Sequence, residues 1–259
     1  MYLSSMPLQR AAVFLIFTFS TLVFAADDHP TVDDLIAKNL AARGGAEAIK
    51  SLHSLRRSGK LLVNHGQMQL TFVQMYKMPG MAREEAGVQG LTQIQVYDGK
   101  EGWQINPFQG RKDPERLSAD DIKSFIEDVT DFGSPLIDAE SKGNVIEYVG
   151  TEDVDGTLAY KLKITRKNGE VKFVFLDPDH YLEIRTLSQR TEHGAQVETV
   201  TDMGDYEKVG GVYLPMALDI GLNHSQDKQQ VLFDKVEPNP ELDNSLFAFP
   251  ESKPTTSVK

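Results

Sequence analysis

The sequence predicts an α+β protein in which one long antiparallel meander of strands carries a few helices on one face. Three observations predict it. Apolar residues recur in strand-like runs from residue 68 to residue 236. The runs are separated by turn signals such as Asp155-Gly156, Asn168-Gly169 and Gly210-Gly211, and such connections suit hairpins rather than crossovers. Helical spacing is confined to two places, residues 31–52 and the stretch opened by Ser118.

Residues 1–25 read as a secretory signal peptide. Arg10 is the one charge before Asp27, and an apolar run spans 11–24. Val23 and Ala25 suit cleavage after Ala25, with Ala26 the neighbouring choice. The run is short for a membrane span, although an uncleaved anchor is the alternative reading. The 259 residues less this leader leave 234, and without a Cys behind the cleavage site no lipid anchor is expected. A soluble, periplasmic mature protein follows.

Thr31 with Asp34 opens a helix through Leu35, Ile36, Leu40 and Ala41, which Gly44 and Gly45 stop. A short second helix is expected over 46–52. The period then becomes two: Met68, Leu70, Phe72 and Tyr76 share one face, while Val73 and Met75 fall on the other, so neither face is purely polar. Strand-like runs follow at 94–97 and 103–105. Ser118 and Asp121 open an amphipathic helix expected over 118–131, with the apolar stripe Ile122, Phe125, Ile126 and Val129, ended by Gly133 and Pro135. Further strand-like runs cover 145–149, 158–164, 171–176, 182–187, 197–200, 212–220 and 231–236. One domain is expected over 31–250, followed by a flexible tail, 251–259.

Composition excludes several chemistries. There is no cysteine, hence no disulfide, thiolate nucleophile, iron–sulfur cluster or Cys-based zinc site. Lys and Arg total 27 against 38 Asp and Glu, a net charge of -11, which argues against nucleic acid as a partner. No Gly-x-Ser-x-Gly elbow, phosphate-binding loop or helical His pair occurs. Gly133-Ser134-Pro135 reads as a turn. Asp177, Asp179, His180 and Glu183 form the densest ligand-like cluster, but Asp-Pro-Asp is good turn chemistry. Neither a catalytic residue, nor a metal site, nor a cofactor is expected, and the protein is not expected to be an enzyme. What remains is a soft, Met-rich stretch, Met68, Leu70, Phe72, Met75, Tyr76, Met78 and Met81, suited either to an irregular apolar ligand or to core packing.

The run from Val96-Tyr97-Asp98-Gly99-Lys100 through Trp103 to Asn106-Pro107-Phe108 resembles a pattern of the LolA-type periplasmic lipoprotein carriers and their relatives. Lys77-Met78-Pro79-Gly80 is similar to that family's basic-Pro strand end, residues 246–250 to its C-terminal aromatic strand, and residues 177–202 to its hairpin pattern. Where those carriers place Arg directly before the Pro and an aromatic four positions later, this chain has Met78 and Ala82, with Lys77 and Arg83 beside them. The likeness is therefore at superfamily level.

The resemblance implies a half-closed antiparallel β-barrel, a strongly curved sheet whose concave face is covered by helices, with acyl chains bound underneath and the helix at 118–131 as a lid. The expected cavity and lid residues are Leu70, Phe72, Met75, Tyr76, Met78, Trp103, Ile122, Phe125, Ile126 and Val129. The implied function is that of a monomeric chaperone-like carrier of lipoproteins or other lipids toward the outer membrane, loaded by an inner-membrane donor and unloaded by an outer-membrane acceptor. The alternative is a sensor of the RseB type that binds lipidated ligands or a membrane protein. Such sensors carry a second C-terminal domain that 234 residues hardly accommodate.

Overall fold

The computed structural model describes residues 30–126, 134–192 and 194–250. The expected signal peptide, Val129 and the C-terminal tail lie outside them. Helix α1 (Val32–Ala42) starts where the Thr31 side chain accepts the Asp34 N–H at 3.1 Å and donates to its carboxylate at 2.8 Å. Helix α2 (Ala46–Lys50) follows at once.

Six strands come next: β1 (Ser54–Val63), β2 (Met68–Lys77), β3 (Met81–Val88), β4 (Leu91–Tyr97), β5 (Gly102–Asn106) and β6 (Arg111–Arg116). After helix α3 (Ala119–Phe125) come β7 (Val145–Val154), β8 (Thr157–Thr165), β9 (Val171–Leu176), β10 (Glu183–Glu192), β11 (Ala195–Val209), β12 (Val212–Leu222) and β13 (Gln229–Pro238). All belong to one antiparallel sheet in the order β6-β5-β4-β3-β2-β1-β13-β12-β11-β10-β9-β8-β7. Two meanders are thus joined where β1 pairs with β13, and β6 and β7 are left as open edges. Edge β6 is Arg-Lys-Asp-Pro-Glu-Arg, a charged and Pro-interrupted strand that discourages further pairing.

Strands β3 and β6 have no apolar alternation, and the sequence reading did not delimit them. The β3–β4 turn is Gln89-Gly90, both with positive φ, so a Gln fills a position usually marked by Asn or Asp. One expectation needs correcting. Residues 246–250 form no strand: a single 3-10 turn (Asn244–Leu246) precedes irregular chain that lies across the sheet. Helix α3 covers Ala119–Phe125 with Ile126 as its cap, and the remainder of the expected 118–131 lies outside the described residues.

Both N-terminal helices pack on the same sheet face. Leu35 of α1 is fully buried on Leu162, Ile164, Val174 and Leu176 of β8 and β9. Ile49 of α2 and the following Leu52 pack on Leu55, Val212 and Leu214. Arg43, just beyond α1, locks this end. Its guanidinium donates to both Glu183 oxygens at 2.9 Å and to the Tyr213 carbonyl at 2.7 Å. Glu183 is 1% exposed, and a buried charge needs such pairing.

Candidate functional site

Cross-strand neighbours on the helix-bearing face form rows that run across the sheet. The first row is Leu218, Val231, Leu61 and Leu70, from β12, β13, β1 and β2. The second is Phe233, Gly59, Phe72, Ala86 and Gln93. The third is Arg57, Gln74, Glu84, Gln95, Gln104 and Glu115, one residue from each of β1 to β6. The fourth is Leu55, Tyr76, Ala82, Tyr97 and Gly102.

The first three of these rows floor a cavity of ≈ 980 Å³, near the upper end of the usual size for ligand pockets, about 300–1,000 Å³. Gln104 of β5 and Glu192 of β10 both line it, although they stand far apart in the strand order. Only a strongly curved sheet brings them together. Leu117 and the α3 residues Asp121, Ser124 and Phe125 form its remaining side.

Gly59 shapes the floor. A bulge follows Ser58, and a Cβ at Gly59 would stand 1.9 Å from the Leu232 carbonyl oxygen. With no side chain between them, Phe72 and Phe233 approach to 6.2 Å between ring centroids.

The cavity has two unlike walls. Leu61, Leu70, Phe72, Leu218, Val231 and Phe233 make one of them aliphatic and aromatic. The other presents the side-chain amides of Gln74, Gln93, Gln95 and Gln104. Arg57 donates to the Gln74 carbonyl oxygen, and the Gln74 amide donates to Glu84. The Arg57 guanidinium also lies 4.4 Å over the Phe233 ring, and its Nε has no hydrogen-bond partner.

Among the expected site residues, Leu70, Phe72 and Phe125 line this cavity. Tyr76 lines a smaller space of ≈ 130 Å³ beside it, with Arg43, Arg57 and Glu183. Ile122 sits over Gly102, where a Cβ would come within 2.7 Å of it, and Ile126 faces a separate cleft of ≈ 420 Å³. Met78 is exposed at the β2–β3 turn. Met75 and Trp103 are corrections. Alternation puts both on the opposite sheet face, in a core with Val96, Leu242 and Phe247, and the Trp103 indole N–H donates to the Phe247 carbonyl at 3.2 Å. The glutamines of β4 and β5, which line the cavity in their place, were missed because an amide inside a curved sheet has no sequence signature.

The Asp177 cluster is a turn. Its carboxylate accepts the N–H groups of Asp179 at 3.0 Å and His180 at 2.7 Å, while Glu183 points away to Arg43. Burial works against ionising Asp177, but those bonds and His180 hold its carboxyl below the ordinary range. Burial, reinforced by Glu183, pushes the Tyr206 phenol well above its ordinary range, and its O–H donates to the Glu183 carbonyl at 2.8 Å. Among the described residues no group of three or more His, Asp or Glu is placed to hold a metal ion. Among them, too, no helix is long and apolar enough to cross a membrane.

An open, curved antiparallel sheet with helices on its cavity face is the LolA-like fold, and this chain has it. It matches the crystal structure of a LolA superfamily protein from Nitrosomonas europaea with a TM-score of 0.55 and 11% identity, over 85% of this chain and 98% of that one. A putative outer membrane lipoprotein-sorting protein domain from Vibrio parahaemolyticus matches with 0.54 and 11%, over 82% and 94%. A DUF1329 family protein from Desulfovibrio piger matches with 0.56 and 14%, over 85% and 98%. At these identities the likeness is one of fold. No protein-family profile matches the sequence, and no curated protein matches it.

Proposed function

We propose that the protein is a carrier that shelters acyl chains of lipoproteins or other lipids, without covalent chemistry. The observation that carries this reading is the apolar wall of the large cavity, formed by Leu61, Leu70, Phe72, Leu218, Val231 and Phe233. Ten buried methylenes contribute about 8 kcal/mol before ordering costs, enough for useful affinity without a polar network. Residues 1–25 would direct the chain to the periplasm, where an inner-membrane donor and an outer-membrane acceptor would be its partners. Helix α3 would serve as the movable side. It has no buried residue, so displacing it costs little of the core.

The test has two parts. Lipids co-purifying with the native protein are identified by mass spectrometry, and the emptied protein is titrated with the apolar fluorophore N-phenyl-1-naphthylamine. Bound lipid and saturable fluorophore uptake, with uptake lost in Phe72→Asp while the fold is retained, are expected. An empty native protein that also takes up no fluorophore would refute the carrier reading.

A further inference from the structure

We infer that the cavity selects amphiphiles whose head is uncharged and rich in hydrogen-bonding groups, and that it discriminates against anionic heads. This rests on the carrier reading and specifies its ligand. Three observations carry it. First, the described residues lining the cavity include three carboxylates, Glu84, Asp121 and Glu192, and neither Lys nor Arg. An anionic head entering a partly desolvated space would meet like charge.

Second, those carboxylates are already engaged. Glu84 accepts from Gln74, Asp121 from Ser118, and Glu192 from Arg190. Engaged in this way they offer no open site to a cation, and among the described residues neither Lys nor Arg lines the cavity to receive an anion. Arg57, the buried cation behind the wall, donates to Gln74 in a relay that ends at Glu84, so the row is neutral across its first three residues.

Third, Gln93, Gln95 and Gln104 face the cavity from β4 and β5, and among the described residues their amides make no hydrogen bond. Covering them with an alkyl chain would strip water from donors and acceptors and return nothing. A hydroxyl-rich or amide head supplies both partners at once. The geometry therefore places the chain of the ligand against β1, β2, β12 and β13 and its head against β4 and β5.

Three probes sharing one twelve-carbon chain separate the possibilities: dodecyl maltoside, the N-dodecanoyl amide of a dialanine amide, and dodecanoate. Each is used below its micellar concentration, at a pH where dodecanoate is ionised, to displace bound N-phenyl-1-naphthylamine. Both uncharged probes, or whichever of the sugar and peptide heads is the true one, are expected to displace at about tenfold lower concentration than dodecanoate. In Gln95→Leu/Gln104→Leu that advantage should vanish. Glu84→Gln/Glu192→Gln should tighten dodecanoate binding alone. Dodecanoate binding as well as the uncharged probes in the wild type, or a preference that survives the double Leu change, overturns the inference while leaving the carrier reading intact. Failure of the fluorophore itself to bind overturns both.

Discussion

Strands β2 and β4 alternate in the same way and turn opposite faces to the cavity. On β2 the inward side chains include Leu70 and Phe72. On β4 the apolar residues Ile94 and Val96 point outward, and Gln93 and Gln95 point in. The difference comes from what lies behind each region. Residues 239–250 cross the outer face of β2 to β5 and bury Leu242 and Phe247 on Met75, Val96 and Trp103. The crossing is fastened by the Lys77 ammonium, which donates to the Leu242 carbonyl at 2.6 Å, and by the Arg83 guanidinium, which donates to the Leu246 carbonyl at 2.7 Å. Where this segment supplies a core, the strand's apolar face is drawn outward and the cavity receives the polar face. Where it does not, in β12, β13 and most of β1, the apolar face looks inward. Strand β2 belongs to both regions and is apolar on both sides.

This contrast can be broken on the outer face first. Phe247 is fully buried, and Phe247→Ala should destabilise the protein by about 3–5 kcal/mol. Denaturant unfolding measures the loss, and fluorophore uptake by the folded fraction should persist, because the cavity lies on the other face. Loss of uptake at full foldedness would mean that the two faces are coupled.

The side of the cavity formed by α3 should respond in the opposite sense. Phe125 packs against the buried pair Tyr76 and Ala82 but is only partly buried. Phe125→Glu should abolish fluorophore uptake, because an unpaired carboxylate in an apolar space is costly, while stability falls by about 1–2 kcal/mol. A melt and a titration on one sample decide it. Gross unfolding would assign Phe125 to the core instead.

The amide wall should be nearly silent in stability. Gln95→Leu/Gln104→Leu is expected to change unfolding free energy by within about 0.5 kcal/mol, since these amides hold no partner in the fold. A larger loss by chemical denaturation would make them structural.

The smallest effect concerns the outer face of β10 to β12, held by charges where β2 to β5 are held by the C-terminal segment. Asp202 takes hydrogen bonds from Arg185 and Lys228. Burial opposes ionisation there, but those bonds outweigh it and hold the Asp202 carboxyl below its ordinary range. The folded value is depressed, so the contribution is present above the unfolded value and is lost as pH falls through the folded one. Melting temperature followed into acid should therefore drop less steeply in Asp202→Asn than in the wild type.

Much of the architecture was legible locally. The Thr31 and Ser118 caps, the Asp155-Gly156 and Asn168-Gly169 hairpins and the runs on β2, β8, β9, β12 and β13 depend on neighbours in the chain, and periodicity reports such contacts directly. The alternation also showed apolar residues on both faces of β2. Strands β3 and β6 were not legible, because Ala, Glu, Gly and Arg enter a strand here only through pairing with long-range partners. Of the residues expected at the cavity, Leu70, Phe72 and Phe125 line it, whereas Met75 and Trp103, expected there too, lie on the opposite sheet face. Alternation fixes which residues share a face, but the face that becomes the interior is chosen by what packs behind it. By itself the sequence determined an antiparallel meander with capped helices and a net acidic, cysteine-free chain. The tertiary structure alone decided the curvature, the pairing of β1 with β13 and the amide wall. Each of these arises from contacts between segments more than a hundred residues apart, which no local period encodes.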